Sequence, residues 1–114
     1  MSYRLQTSDY KKITPQKAKQ LLSSLSCYTV LIDVRRPEEY YRRHIKGAVN
    51  IPIDVLKDKA PVMLPDLNQE IIVYCHTGIR SLDAAHMLEN MGYCNVFDLG
   101  SIDDWCYELV GRQF

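Results

Sequence analysis

Short, continuous apolar runs mark the predicted strands of this chain. Residues 28–34 and 70–75 are nearly unbroken runs of β-branched and other apolar side chains, a pattern typical of strands covered on both faces in a parallel sheet. Shorter candidate strands lie at 48–51 and 95–99, and the more polar segment 11–13 is a further candidate. The pattern therefore predicts five strands, with 11–13 as a short edge strand.

Segments with helical spacing separate these strands. Thr14 and Pro15 suit the N-cap and first position of a helix, whose apolar face would be formed by Ala18, Leu21, Leu22 and Leu25. Further helices are predicted at 37–41, in part of 53–64, at 80–91, and at 101–110 with Ser101 as a cap. Alternating strands and helices favour an α/β fold, with a central, mostly parallel five-stranded sheet and helices on both faces.

Length and charge narrow the classes of partner. A chain of 114 residues fits one domain, and we expect a polar N-terminal arm at 1–9 followed by that domain over 10–114. Fourteen basic residues balance fourteen acidic ones, so no nucleic-acid partner is expected. No apolar run reaches the length of a membrane span. The N-terminus also lacks the apolar stretch of a signal peptide, which points to the cytoplasm.

The cysteines suggest chemistry rather than cross-linking. The four are Cys27, Cys75, Cys94 and Cys106, without a C-x-x-C pair and without a histidine at zinc-finger spacing. We therefore expect neither a disulfide framework nor a bound metal. At least one thiol is left as a candidate reactive group.

Cys75 lies at the predicted boundary between a buried strand and a helix. Ligands of open α/β sheets bind beyond the carboxyl ends of the strands, which is where this thiol is expected. Gly78 permits the tight loop that must follow. Such a loop turns backbone N–H groups inward, and together with the helix dipole they favour a thiolate, the reactive form. Arg80 adds a positive charge nearby.

A cysteine at a strand end can instead be a small buried hydrophobic residue. The glycine loop, the arginine and the following helix favour the reactive alternative for Cys75. Cys27, Cys94 and Cys106 lack that context, and we interpret them as packing residues.

Four motifs in this chain resemble those of the rhodanese family. Residues 75–81 match its C-x-x-G-x-R-S active-site loop, and residues 31–40 look like its D-V-R-x-x-x-E-[YF] segment. Residues 44–52 are similar to its G-H-I-x-G-A-x-x-I-P segment, and 99–105 to its L-x-G-G-x-x-x-W ending. The motifs occur in the family's order over roughly residues 10–110. There are two departures, since Arg43 and Ser101 stand where the family usually has glycine.

The resemblance implies a rhodanese-like fold and a thiosulfate sulfurtransferase-like enzyme. Cys75 would take a sulfane sulfur from a small sulfur-containing anion such as thiosulfate, and would hold it as a persulfide. Cyanide, a thiol or a protein would then accept it. This is covalent catalysis, which divides one transfer into two displacements, and the resemblance implies no cofactor beyond the covalent persulfide.

The resemblance also assigns the remaining site residues. The active-site loop that binds substrate would comprise His76, Thr77, Gly78, Ile79, Arg80 and Ser81, with Asp33, Arg35 and Glu39 as supporting residues. Two roles stay open for Arg80: stabilising the anion in the loop, or forming a structural ion pair with Asp33 or Glu39.

Two other functions are weighed against sulfur transfer. Phosphatases and arsenate reductases of this fold use a C-x5-R loop, whereas Cys75 and Arg80 are spaced as C-x4-R, and this shorter loop suits a sulfur atom better than a phosphoryl group. The other alternative is a non-catalytic or sulfur-carrying module that acts through a protein partner. Leu82, apolar on a polar helix face, is either a docking point for such a partner or a packing residue.

Overall fold

The structure is a computed structural model that describes residues 10–23 and 28–111. The predicted arm at 1–9, and the predictions for Leu25 and Cys27, lie outside the described residues.

A five-stranded parallel sheet forms the centre of the fold, as the sequence predicts. Its strands are β1 (Lys11–Lys12), β2 (Thr29–Asp33), β4 (Val49–Asn50), β5 (Glu70–Cys75) and β6 (Asn95–Ser101). Their order is β1-β6-β5-β2-β4, so β1 is an edge strand and β5 is central. Two short strands that the sequence analysis missed, β3 (His44–Ile45) and β7 (Leu109–Val110), pair antiparallel in a separate sheet.

Within residues 10–23 and 28–111, four helices surround the sheet: α1 (Pro15–Leu22), α2 (Pro37–Arg42), α3 (Ile53–Met63) and α4 (Ile79–Asn90). Helices α3 and α4 pack in one hydrophobic cluster, with residues such as Leu56, Ala84 and Leu88. Helix α1 packs in a second cluster that also contains Trp105. In the described part of the chain no helix has the length and apolar character that a bilayer crossing needs.

Alternation along β5 explains why its sequence is apolar throughout. Ile71, Val73 and Cys75 belong to the α3 and α4 cluster, whereas Ile72 and Tyr74 belong to the cluster on the other face. Both faces are covered, and burying each large side chain contributes about 1.5–3 kcal/mol. The same alternation directs the side chain of Cys75 toward the face that carries α4.

The helix predicted at 101–110 is wrong. Ser101 does act as a cap, because its hydroxyl accepts a hydrogen bond from the Asp103 backbone N–H at 3.0 Å. The helix that follows is only a 3-10 turn over Ile102–Asp104. Beyond it, buried and exposed residues alternate: Trp105, Tyr107 and Leu109 are buried or half-buried, whereas Cys106 and Glu108 are exposed. This period of two is that of a strand, and it leads into β7.

The β3–β7 pair brings the end of the described chain against α2. Lys46 donates its backbone N–H to Glu108 at 3.3 Å, next to the paired residues of the two strands. A side chain at Gly111 would collide with the backbone of Arg42 and Arg43. The absence of a β-carbon at Gly111 therefore allows the two segments to touch.

Candidate active site

The loop after β5 directs two backbone amides at the sulfur of Cys75. The N–H of Gly78 lies 3.0 Å from Sγ, and the N–H of Ser81 lies 3.2 Å from it. Gly78 has φ +93°, a left-handed conformation that side chains other than that of glycine rarely adopt. This turn precedes the first residue of α4 and aims the N-terminal end of the helix at the thiol. The arrangement favours negative charge on sulfur.

Cys75 has no exposed surface. Its neighbours in the hydrophobic cluster include Val73, Ala84 and Ala85. The sulfur is thus enclosed by apolar side chains and faces two amides across the loop. The interpretation of Cys94 and Cys106 as packing residues is wrong, since both are exposed. Cys94 follows the α4 turn and lies near Asn68 Oδ1 at 3.0 Å, and Cys106 occupies an outward position of the alternating segment before β7.

Further hydrogen bonds fix the shape of the loop. The Ser81 hydroxyl donates to the Gly78 backbone oxygen at 3.2 Å, and the Leu82 N–H donates to the same oxygen at 3.3 Å. The Ser101 hydroxyl binds the backbone oxygen of His76. Ser101, one of the two departures from the family pattern, therefore contacts the loop directly from β6.

Arg80 forms an ion pair with Glu39 of α2. Its Nη1 and Nη2 lie 2.9 and 3.2 Å from the two carboxylate oxygens. This hydrogen bonding holds the pKa of Glu39 at about 2, below its ordinary 4.5. The pKa of Arg80 is raised, first by Glu39 and to a lesser degree by the nearby Cys75. Of the two partners considered from the sequence, Glu39 is the one found.

Asp33 and Arg35 form a buried pair at the end of β2. Arg35 Nη2 lies 2.7 Å from Asp33 Oδ2, and Arg35 Nε lies 3.0 Å from Oδ1. The same Nη2 donates to the backbone oxygen of Arg43. Asn50 donates to the backbone oxygens of both members of the pair, at 2.9 and 3.0 Å. Within the described residues neither member hydrogen-bonds Sγ, so the pair supports the segment around α2.

A cleft of about 350 Å³ lies beside the loop. It is lined by Arg35, Glu39, Arg42, Arg43 and His76. At its rim, Asp103 Oδ2 lies 3.2 Å from His76 Nε2, and Asp103 Oδ1 lies 3.5 Å from Arg43 Nη2. Arg42 and Asp103 are not among the site residues predicted from the sequence. The one sequence signal for this cleft was Arg43, which stands where the rhodanese family usually has glycine.

The predicted site residues fall into three groups. Gly78 and Ser81 contact the sulfur, Arg80 is paired with Glu39 in the first turn of α4, and His76 faces the cleft. Thr77 and Ile79 are exposed on the outside of the loop. Leu82, the candidate docking residue, has 37% of its surface exposed, against 68% for Ile79. The supporting residues hold α2 in place against the loop.

A family profile described as "Rhodanese-like domain" matches residues 14–108 of the chain. A solved structure described as a rhodanese with anions from E. coli superposes with a TM-score of 0.70 at 37% identity, covering 74% of this chain and 99% of that one. The fold and the extent of the match therefore agree with the resemblance found in the sequence.

Curated relatives from bacteria are similar over most of the domain. Thiosulfate sulfurtransferase PspE of Escherichia coli is 41% identical over 73 residues, which are 64% of this chain and 70% of that protein. Thiosulfate sulfurtransferase GlpE of Haemophilus influenzae is 33% identical over 98 residues, or 85% of this chain and 89% of that protein. The putative sulfur carrier protein YrkF of Bacillus subtilis is also 33% identical, over 86% of this chain and 52% of its own length.

Proposed function

The chain belongs to the rhodanese-like family, and from that premise we propose that it is a sulfurtransferase in which Cys75 carries the transferred sulfur as a persulfide. The observation that carries the proposal is the pair of amides from Gly78 and Ser81 at 3.0 and 3.2 Å from Sγ. Hydrogen bonds from backbone N–H groups to an anion are charge-assisted and stabilise the thiolate. Arg80 adds its positive charge to the same site.

Thiosulfate is the donor proposed for the first displacement. The Cys75 thiolate attacks the outer sulfur of thiosulfate, a new S–S bond forms, and the S–S bond of thiosulfate breaks. Its electron pair leaves with sulfite, so Cys75 becomes a persulfide anion with no net oxidation. The amides that hold the thiolate are placed to hold the persulfide as well.

A thiolate or cyanide is the acceptor proposed for the second displacement. It attacks the outer sulfur of the persulfide, and the S–S electron pair returns to Sγ of Cys75. The product is an acceptor persulfide or thiocyanate, and the resting thiolate is restored. Each step is a displacement at sulfur, for which the chain's own residues supply the nucleophile and the charge stabilisation.

Access to the sulfur requires motion of the loop. Cys75 has no exposed surface, so the residues that cover Sγ must move before a donor can reach it. The side chains of Thr77 and Ile79 are exposed on the loop. These two residues are therefore proposed to tune which donors enter, in agreement with their position on the outside of the loop.

Intact-mass analysis after exposure to thiosulfate tests the proposal. The protein should gain one sulfur atom, and Cys75→Ser should gain none while keeping its circular dichroism spectrum. Cys94→Ser and Cys106→Ser serve as matched controls because both thiols are exposed, and both variants should still gain the sulfur. Sulfur added to Cys75→Ser, or lost in a control, would exclude Cys75 as the carrier.

A sulfur carrier for another protein is the second candidate function. Two observations favour it: YrkF carries that name, and the apolar side chains of Ile79 and Leu82 are exposed at the loop. The lifetime of the persulfide separates the two functions. An enzyme for small acceptors loses the added mass when it is mixed with millimolar thiol, whereas a carrier retains the added mass until its protein acceptor arrives.

A further inference from the structure

The cleft beside the loop holds more positive charge than its neighbours neutralise. Of the charged residues that line it, Arg35 is paired with Asp33 and Glu39 with Arg80. Arg42 and Arg43 are left as cations. Within the described residues Arg42 forms no ion pair, and Arg43 has one partner, Asp103, at 3.5 Å. The cleft therefore presents two guanidinium groups to a ligand.

The backbone of Arg43 is fixed from several sides. Its N–H donates to the Glu39 backbone oxygen at 3.1 Å, and its own backbone oxygen accepts from the buried Arg35. Gly111 packs against it from the β7 side. The start of the side chain is thus held in place before any ligand arrives, which lowers the entropy that binding must remove.

Asp103 occupies the place that a ligand anion would take. One of its oxygens faces Arg43 and the other faces His76, which directly follows Cys75 in the chain. Asp103 is 58% exposed and lies in a 3-10 turn, so solvent screens both contacts and a ligand can displace them. An internal carboxylate thus shows which chemical group fits between these two side chains.

We propose that Arg42 and Arg43, opposed by Asp103, recognise a carboxylate of a low-molecular-weight thiol that accepts sulfur from Cys75. This proposal deepens the proposed sulfur transfer and rests on it. The charged oxygens of thiosulfate are only two bonds from the sulfur that moves, so the loop amides can stabilise their charge. Arg43 is linked to the loop through Asp103 and His76, and within the described residues it forms no hydrogen bond with Sγ of Cys75. It therefore suits a ligand whose charge is several bonds from its sulfur.

The size of the cleft favours a small molecule. Its volume of about 350 Å³ lies near the lower end of the roughly 300–1,000 Å³ found for ligand pockets. In the transfer step the bound thiolate attacks the outer sulfur of the Cys75 persulfide, and the electron pair of the broken S–S bond stays on Sγ. The carboxylate takes no part in the bond changes. Arg42 and Arg43 are consequently specificity residues, and they position the attacking sulfur through the remote anion.

Single-turnover transfer from preformed persulfide tests this step alone. The protein is loaded with thiosulfate, desalted, and mixed with glutathione or with the neutral thiol 2-mercaptoethanol. The measured quantity is the ratio of the two second-order rate constants. Arg43→Ala and Arg42→Ala should each lower this ratio about tenfold, the size expected for one charge-assisted hydrogen bond. Arg43→Lys should lower it less, because the charge remains without the fork.

Asp103→Asn gives a test in the opposite direction. Removing the competing carboxylate should raise the ratio about threefold, in line with an exposed ion pair. Lys57→Ala, which removes an exposed cation from α3, is the charge-matched control and should leave the ratio unchanged. Ratios that stay constant in all four cleft variants would overturn the proposal. If no thiol removes sulfur from Cys75 in the unmodified protein, sulfur transfer itself fails, which is a separate result.

Discussion

The guanidinium of Arg80 holds both carboxylate oxygens of Glu39, at 2.9 and 3.2 Å, and so joins the first turn of α4 to α2. Glu39 also accepts a hydrogen bond from the Arg36 backbone N–H at 2.9 Å. One carboxylate therefore closes the start of α2 and fixes the arginine beside the candidate nucleophile. The geometry of the loop depends on α2 as much as on the loop's own sequence.

Glu39→Gln should weaken both the fold and sulfur transfer. The side-chain amide of glutamine cannot accept both hydrogen bonds of the Arg80 guanidinium, so Arg80 is released from its position near Cys75. We expect the free energy of unfolding to fall by about 1 kcal/mol, because the side chains are 28% and 30% exposed and solvent screens the pair. Thiosulfate turnover should fall about tenfold, since one charge-assisted contact of this size is worth roughly that factor.

Glu38→Gln is the control for this change. It neutralises the neighbouring carboxylate of the same helix, which is exposed and forms no ion pair within the described chain. Urea unfolding and turnover should both match those of the unmodified protein. Equal losses in the two variants would show that helix charge, rather than the Arg80 contact, is responsible.

Acid should remove the stabilisation that the ion pair of Glu39 and Arg80 gives the fold. The pKa of Glu39 is about 2 in the folded protein, against an ordinary 4.5. Its stabilising effect is therefore complete above pH 4.5 and is lost as the pH falls toward 2. Urea midpoints measured between pH 6 and pH 3 should fall more steeply for the unmodified protein than for Glu39→Gln. Parallel slopes would contradict the assignment of the depressed pKa to this pair.

Gly78→Ala should damage the sulfur site more than the fold. At φ +93° an alanine is strained by about 1 kcal/mol or more, and relief of that strain turns the amide of residue 78 away from Sγ. Gly47→Ala is a matched control, since Gly47 has φ +89° and no atom within 4 Å of an added β-carbon. Melting temperatures should fall in both variants. Persulfide yield should drop only in Gly78→Ala, and a normal yield there would rule out the amide as a support of the sulfur.

Breaking the buried pair of Asp33 and Arg35 should be costly. Arg35→Met leaves the Asp33 carboxylate buried without its partner, and such a charge costs about 3–5 kcal/mol. Adding Asp33→Asn removes the charge, so the double variant should recover part of the loss. Chemical denaturation of the three proteins gives the comparison. A double variant less stable than Arg35→Met would refute the explanation by stranded charge.

The exposure of the cysteines predicts different selectivity for large and small reagents. Cys94 and Cys106 are exposed, whereas Cys75 is enclosed. A bulky maleimide should therefore modify Cys94 and Cys106 first, while thiosulfate adds sulfur only at Cys75. Peptide mapping of briefly treated samples distinguishes the sites. Rapid maleimide labelling of Cys75 would mean that the loop opens far more widely than a sulfur atom needs.

The central sheet and the sulfur loop could be predicted because their signals are local. The run at 70–75 predicts β5 with its observed bounds, since burial on both faces demands apolar residues at every position. The loop follows from the spacing of Cys75, Gly78 and Arg80. The positive φ of Gly78 is a requirement that one residue type meets.

The remaining features depend on contacts between segments distant in sequence. Residues 109–110 form a strand only because His44 and Ile45 lie opposite. The helix prediction for 101–110 was wrong because it relied on the Ser101 cap, although an alternation of buried and exposed residues starts at Trp105. Asp103 reaches the cleft because the chain after β6 turns back toward α2 to pair with β3. A single sequence records neither pairing, although the arginine at position 43 signals that the surface there differs from the usual pattern.

Gly111 contacts the backbone of Arg42 and Arg43, so the segment that includes β7 supports the arginine side of the cleft. Deleting the chain from residue 109 onward would leave the sulfur loop covalently intact but would remove that supporting contact. A truncated protein of this kind should still form the persulfide but should no longer distinguish charged from neutral thiol acceptors. Shortening the C-terminal end would then separate the first displacement from the second.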